Sequence, residues 1–188
     1  MESFTSLSGH LLVSLPSIKG DYFRQTVTLL VEHSKEGAFG LVVNRPTNVN
    51  LSDLLVDHDE FYFPKEFQEA IPLLETGPVE QNRLFFLHSN ERELSYSVPV
   101  NNRVSLSTSL NLISDIKENE YPNDIIAGLG YAGWSAGQLE NEIKGDAWLV
   151  TPYVHDAVFN MPYTDRPQLA ADSIGIDLAL IAPIVGHG

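Results

Sequence analysis

The segment Ile125-Ile126-Ala127-Gly128-Leu129-Gly130-Tyr131-Ala132-Gly133-Trp134-Ser135-Ala136-Gly137-Gln138-Leu139 decides between three folds. Gly128–Gly133 satisfies G-x-G-x-x-G, behind a strand-like run (Ile125–Leu129) and ahead of a helix. That is the setting of a dinucleotide corner, where glycines admit a pyrophosphate and a helix N-terminus stabilises its charge. Gly133–Gly137 satisfies G-x-S-x-G, the strained turn that exposes a nucleophilic serine in α/β-hydrolases. The third reading is a strand–loop–helix corner in a mixed sheet. In it, Ser135 and Gln138 form a capping box for a helix that carries Leu139 and Ile143.

The surrounding sequence favours the third. The next strand, Ala147–Thr151, ends in Thr-Pro where a dinucleotide site needs an acid for the ribose. Too little chain follows for a doubly wound sheet. Ser135 lies beyond the third glycine, so the helix starts too late for that glycine to pack inside it. For the hydrolase, Asp172 or Asp177 followed by His187 gives the required order. The chain after Ser135 is nonetheless short for that fold, and a hydroxyl engaged as a helix cap is a poor nucleophile. A serine hydrolase using Ser135 stands as the alternative function, and nucleotide binding as a third.

Outward from this segment, strands are expected at Leu11–Leu15, Thr26–His33, Phe39–Val43 and Leu84–His88. Ser34–Gly37 makes a hairpin of the second and third. Tyr96–Val100 and Val104–Leu106 pair across Asn101-Asn102, which tolerate the positive φ of a tight turn. Helices are expected at Leu51–Leu55 behind an Asn50 cap, at Leu110–Ile116, behind Ser135 up to Gly145, at Val154–Phe159 and at Gln168–Ile174. Asp57–Phe67 reads as an acidic, aromatic loop. The sum is an α/β (mixed α+β) fold: a single compact domain over residues 1–188, with a curved mixed sheet and flanking helices.

Composition narrows the function. The 188 residues include 11 Lys and Arg against 25 Asp and Glu, a formal net charge of −14. No two basic residues are adjacent, so direct nucleic-acid binding, which rests on clustered cations, is disfavoured. No membrane segment is expected: the run Leu178–Gly186 is too short to span a bilayer and contains Pro183. No leader is read either, since the first basic residue is Lys19. The absence of cysteine removes thiolate chemistry and fits a cytoplasmic location.

No metal site is legible. His10, His33, His58, His88, His155 and His187 lack ligand spacing, and Asp57–Glu60 reads as a solvated acidic loop. No cofactor and no catalytic residue is assigned. Polar residues at strand ends, where core packing does not demand them, nominate a ligand-binding set instead. That set is His33, Asn44, Arg45, His88, Tyr131, Trp134 and Gln138, and its partner is an unknown small molecule or protein.

Several segments together resemble the YqgE/AlgH family. They are Gly9–Pro16, Phe23–Val27, Glu32-His33, Gly37–Pro46, Gly77–Val79, Leu87-His88, Gly130–Trp134, Gly137–Glu140, Ala147–Leu149, Gly175–Asp177 and Gly186-His187. The resemblance covers nearly the whole chain. It implies a small, soluble, cytoplasmic bacterial protein with a curved α/β sheet and no agreed activity, one branch being labelled a regulator of alginate production. The implied role is a regulatory or ligand- or protein-binding module, a transcriptional regulator by label. This chain departs from the family pattern at Val31, where many members resemble Cys-Glu-His, and at Thr76 and Pro167. Glycine is frequent in the family at position 135, which an essential serine would not permit.

Overall fold

The computed structural model describes residues 4–55, 71–117 and 122–181. Nine strands share one sheet: β1 (Leu11–Ser14), β2 (Val27–Ser34), β3 (Gly37–Val42), β4 (Leu73–Glu75), β5 (Val79–Ser89), β6 (Ser97–Pro99), β7 (Val104–Ser107), β8 (Ile125–Ser135) and β9 (Trp148–Thr151). The order is β6-β7-β5-β8-β3-β2-β1-β9. Every pairing on that path is antiparallel, and β4 adds the one parallel pair, against β8. Among the described residues, five short helices, α1 (Leu51–Leu54), α2 (Asn111–Lys117), α3 (Gln138–Lys144), α4 (His155–Val158) and α5 (Arg166–Asp172), flank this curled sheet. The curved mixed sheet with flanking helices is as the sequence indicates. The acidic segment Asp57–Phe67, with His58, and the terminal His187 lie outside the described residues.

The deciding segment folds differently from each of its three readings. β8 does not stop at Leu129; it runs through all three glycines to Ser135. Its first half pairs with β5 (Leu84↔Leu129, His88↔Ile125) and its second half with β3 (Gly37↔Ser135, Gly40↔Ala132). β4 fills the gap where β8 leaves β3. Val42 N–H donates to Thr76 O, and Thr76 N–H donates to Leu129 O. Gly130 turns the strand with a φ of 76°. Before it, Ile125, Ala127 and Leu129 face one apolar cluster and Ile126 another. After it the parity reverses, with Tyr131 joining Ile126's cluster. Ala132 and Trp134 join a third cluster, beneath α3.

The glycines are demanded by backbone packing. A Cβ on Gly77 would lie 1.8 Å from the Tyr131 carbonyl carbon, one on Gly130 would lie 2.3 Å from Gly77 O, and one on Gly128 would strike Thr76. Protein atoms occupy the space that a pyrophosphate would need beside these glycines, which removes the nucleotide reading. The cap is also corrected: the residue preceding α3 is Gly137, at φ 74° with no side-chain cap, and Ser135 still belongs to the strand.

Elsewhere the pattern rules hold with local revisions. β2 carries an extra residue between Leu30 and Glu32, so Val31 stays in the core with Leu29 and His33 then turns inward. The β6–β7 turn does not use a positive φ. Instead Asn101 Oδ1 accepts the Arg103 and Val104 amides, a side-chain-closed turn. α5 begins two residues earlier than expected because Arg166 belongs to it. One cluster packs the sheet on Ala157, Val158 and Ala170 of α4 and α5, and a second packs Phe86 and Ala127 on Leu112 and Ile113 of α2. Each fully buried Leu or Phe contributes about 1.5–3 kcal/mol of transfer free energy.

Gly77→Ala places a methyl group against backbone that cannot move aside and is expected to cost about 3 kcal/mol or more, or to abolish folding. Gly137→Ala carries a positive φ that Gly77 lacks, but it meets nothing within 4 Å, so it should cost only about 1–2 kcal/mol. Urea denaturation of both variants checks this, and equal losses would contradict the close-approach account.

Candidate functional site

At one end of the sheet, the β2–β3 turn, the β8 terminus and α3 meet. Pairings His33↔Ala38 and Ala38↔Trp134 set His33 and Trp134 in one row across three strands. An open hollow of about 520 Å³ lies here, lined by Ser8, Glu32, His33, Glu36, Phe39 and Trp134 among others. His33 is buried and all its polar groups are used. Its Nδ1 accepts the Leu7 amide at 2.9 Å, and its Nε2 lies 3.0 Å from Glu140 Oε1. The first bond fixes the tautomer: Nδ1 bears the lone pair, so Nε2 bears the hydrogen and donates to Glu140. The Glu140 carboxyl is held below the usual carboxylate range, first by its own backbone amide and then by His33. Glu36 is held low in the same direction by the Ser34 hydroxyl.

Beside this pair, one carboxylate organises both tryptophans. Trp134 Nε1 and Trp148 Nε1 each donate to Glu142 Oε2 at 2.8 Å, and Gln138 Nε2 donates to Glu142 Oε1 at 2.9 Å. Gln138 Oε1 in turn accepts the Ser135 amide at 3.0 Å and its hydroxyl at 3.2 Å. The indoles pack edge to face, with centroids 6.0 Å apart. Ser135 is thereby a donor to Gln138, and among the described residues no histidine bonds it. Asp172 accepts from Gln168, and Asp177 caps Ala179. Nothing supports the serine-hydrolase alternative.

Of the seven nominated residues, the structure brings His33, Trp134 and Gln138 to this corner. Tyr131 points to the opposite face of the sheet, against Phe39 and Phe85. Asn44 and Arg45 follow the far end of β3. Asn44 Oδ1 accepts the Val27 amide and its Nδ2 donates to Gln25 O, bracing Gln25 at a φ of 56°. Arg45 stacks over the Tyr22 ring, 4.4 Å from its centroid. Burial, and after it the neighbouring Glu75 carboxylate, pushes the Tyr22 hydroxyl up to about 12. His88 is fully buried at the other end of β8, opposite Ile125. Its Nδ1 donates to Ser89 O at 2.9 Å and its Nε2 accepts from Ser97 Oγ at 2.8 Å. Nine residues of strand, up to about 30 Å, separate Ile125 from Trp134.

Three polar features carried no nomination. Glu140 and Glu142 are one; the available signal was a pair of acids on a short helix between the chain's two tryptophans. Arg166 is another. It is buried without a carboxylate partner among the described residues and donates to the carbonyls of Val43, Val158, Phe159 and Met161, tying α4 and α5 to β3. The third is His155, whose Nε2 donates to Asp124 at 2.8 Å while the Tyr153 hydroxyl donates to its Nδ1 at 3.1 Å. Burial, its largest influence, pushes the Tyr153 hydroxyl well above the ordinary phenol range. This relay clamps the start of β8 to α4.

Two measurements test these assignments. Glu142→Ala strands two buried indole donors and is expected to cost about 2–4 kcal/mol and to change tryptophan emission; an unchanged urea midpoint would refute the role. Burial lowers the pKa of His88 below 6.5. The unfolded chain therefore binds a proton there at higher pH than the folded one, and stability falls as pH drops below about 6.5. In His88→Gln this part of the acid dependence should vanish, so the gap in stability between variant and wild type narrows from pH 7 to 5. A constant gap would overturn the assignment.

Comparison with known proteins places this geometry. The AlgH-like family model matches residues 11–179. A UPF0301 protein of Thioalkalivibrio sulfidiphilus is 38% identical over 187 residues, covering 100% of both chains. One from Alcanivorax borkumensis is 40% identical over 182 residues, covering 96% of each. The solution structure of the AlgH protein from Pseudomonas aeruginosa superposes with a TM-score of 0.78 at 35% identity, over 100% of this chain and 99% of that one. The crystal structure of protein DIP2367 from Corynebacterium diphtheriae shares the fold, with a TM-score of 0.69 at 19% identity over 90% and 94% of the two chains. The chain belongs to the AlgH-like family, which has no assigned reaction.

Proposed function

We propose that this protein is a non-catalytic, regulatory binding module of the cytoplasm that engages a basic segment of a protein partner at the hollow beside the β2–β3 turn. The observation that carries the reading is the division of labour at that corner. His33, Trp134, Gln138, Glu140 and Glu142 are all committed to internal hydrogen bonds, so no nucleophile paired with a free base is found among the described residues of the corner. The rim is different. Glu32 and Glu36 are exposed and line the hollow together with Phe39 and Trp134. Carboxylates with aromatic faces beside them suit Lys and Arg side chains. A net charge of −14 steers cationic partners toward the protein and opposes contact with a phosphate backbone. A transcriptional effect would accordingly run through a protein contact and not through direct binding to DNA. No helix among the described residues is long and apolar enough to cross a membrane.

Amide chemical shifts test this directly. A Lys- and Arg-rich oligopeptide at physiological salt should perturb residues 32–39 and 134, while an Asp- and Glu-rich peptide of equal length should not. The double substitution Glu32→Gln and Glu36→Gln should weaken the effect several-fold. Absence of perturbation at millimolar basic peptide would sink the proposal.

A further inference from the structure

The chain before β1 lies over His33. Ser6 Oγ donates to His33 O at 2.8 Å, Ser8 Oγ accepts the His33 amide at 2.8 Å, and the Leu7 amide donates to His33 Nδ1. The Phe4 ring rests against the imidazole, with centroids 4.9 Å apart. Leu7 packs against the cluster that holds Trp134 and Leu139, and Ser8 lines the hollow. Residues 4–8 thus form a strap whose attachment converges on one residue, through two bonds to the His33 main chain and, at Leu7 and Phe4, through its imidazole. Phe4, Thr5 and Ser6 are themselves exposed, so releasing them sacrifices little core.

We infer that this strap is a proton-operated latch: it is held only while His33 is neutral, and it lets go when His33 takes up a proton. Nδ1 has one lone pair, and the Leu7 N–H occupies it. A proton added there sets two N–H groups against each other at 2.9 Å, and the bond becomes a repulsion. The Nε2–H bond to Glu140 survives protonation and strengthens, because the carboxylate then faces an imidazolium. Glu140 therefore keeps the charged ring in place while the strap is expelled. The other charged groups near the ring are Glu32 on β2, Lys35 and Glu36 in the turn, and Lys144 one helical turn beyond Glu140. The strap has no ionisable side chain of its own. His10, just past it, donates from Nδ1 to Leu7 O at 3.1 Å, a bond to the strap's C-terminal end that does not depend on His33. Strap release bares the wall of the hollow that Ser8 covers. This consequence for recognition rests on the proposed binding role, whereas the latch itself does not.

The test follows amide exchange protection of Leu7 and Ser8 in the full-length protein across a pH series, alongside the ring ¹⁵N shifts of His33. Protection at these two amides is expected to fall at least tenfold in the same step as His33 protonation, while Leu29 and Leu41 remain protected. In His33→Asn the amide oxygen takes the place of Nδ1 and cannot be protonated, so the strap should stay protected throughout. In Glu140→Gln the step should move to lower pH, because the charge favouring the imidazolium is gone. The latch is overturned if protection persists while His33 titrates, if His33→Asn loses it at the same pH, or if Glu140→Gln leaves the step unmoved. Should His33→Asn fail to fold, Glu140→Gln decides alone. The readout is independent of the peptide-induced shifts at residues 32–39, so either proposal can fail without the other.

Discussion

Two backbones touch where Gly77 lies on Tyr131 and Gly130 lies under Gly77 and Val79, and the arrangement of the sheet follows from that contact. A strand with side chains at these positions could not approach so closely. Because it can, β4 slides in beside β8, and β8 is free to leave β5 and continue against β3. The positive φ at Gly130 reverses the alternation of side chains. One strand thereby supplies Ala127 to the cluster under α2 and Trp134 to the cluster under α3. Without that reversal Trp134 would face the same side as Ile126, and the indole–carboxylate arrangement could not form.

α3 is seven residues long and contributes Leu139 to the core. A helix so short is not stable by propensity. Its docking draws on carboxylates one helical face apart: Glu140 on His33, and Glu142 on Trp134 and Trp148. These bonds are charge-assisted and partly shielded from water, which makes each stronger than a surface ion pair. His33 is consequently held from two sides, by a helix that requires its Nε2 hydrogen and by a strap that requires its Nδ1 lone pair. The two demands agree only for one neutral tautomer. The latch inferred at this imidazole is a consequence of that geometry.

Much of the fold was legible because hydrophobic period and turn chemistry act locally. The β2–β3 hairpin, Leu84–His88, the helix ending at Gly145 and the strand before Pro152 all stand where alternation, Gly and Pro place them. Gly128–Gly137 was misread as a loop because glycine signals backbone freedom or backbone proximity with the same letter. The decision lay with Thr76 and Gly77, more than fifty residues earlier in the chain. β4 was missed for the related reason that three residues show no period. In the site, His33, Trp134 and Gln138 converge, yet sequence could not separate them from Asn44, Arg45, Tyr131 and His88. Apart from Gln138, at the start of a helix, they follow one rule, polar or aromatic near a strand end, and which ends coincide is a matter of topology.

That rule has a second physical source besides binding. A strand that ends inside a protein leaves amides and carbonyls in need of partners, and a buried unpaired group costs about 1–3 kcal/mol. Asn44 answers this by closing on Val27 and Gln25, His88 by bridging Ser89 and Ser97, and Arg166 by gathering four carbonyls around α4. Such residues are as indispensable as ligand contacts and look the same in a sequence. What sets the β2–β3 corner apart is that its internal bonds are complete and acidic groups still remain at its rim. Glu32 points outward because the extra residue at Val31 turns His33 inward. A single bulge therefore both buries the imidazole that holds the strap and presents the carboxylate that faces a partner.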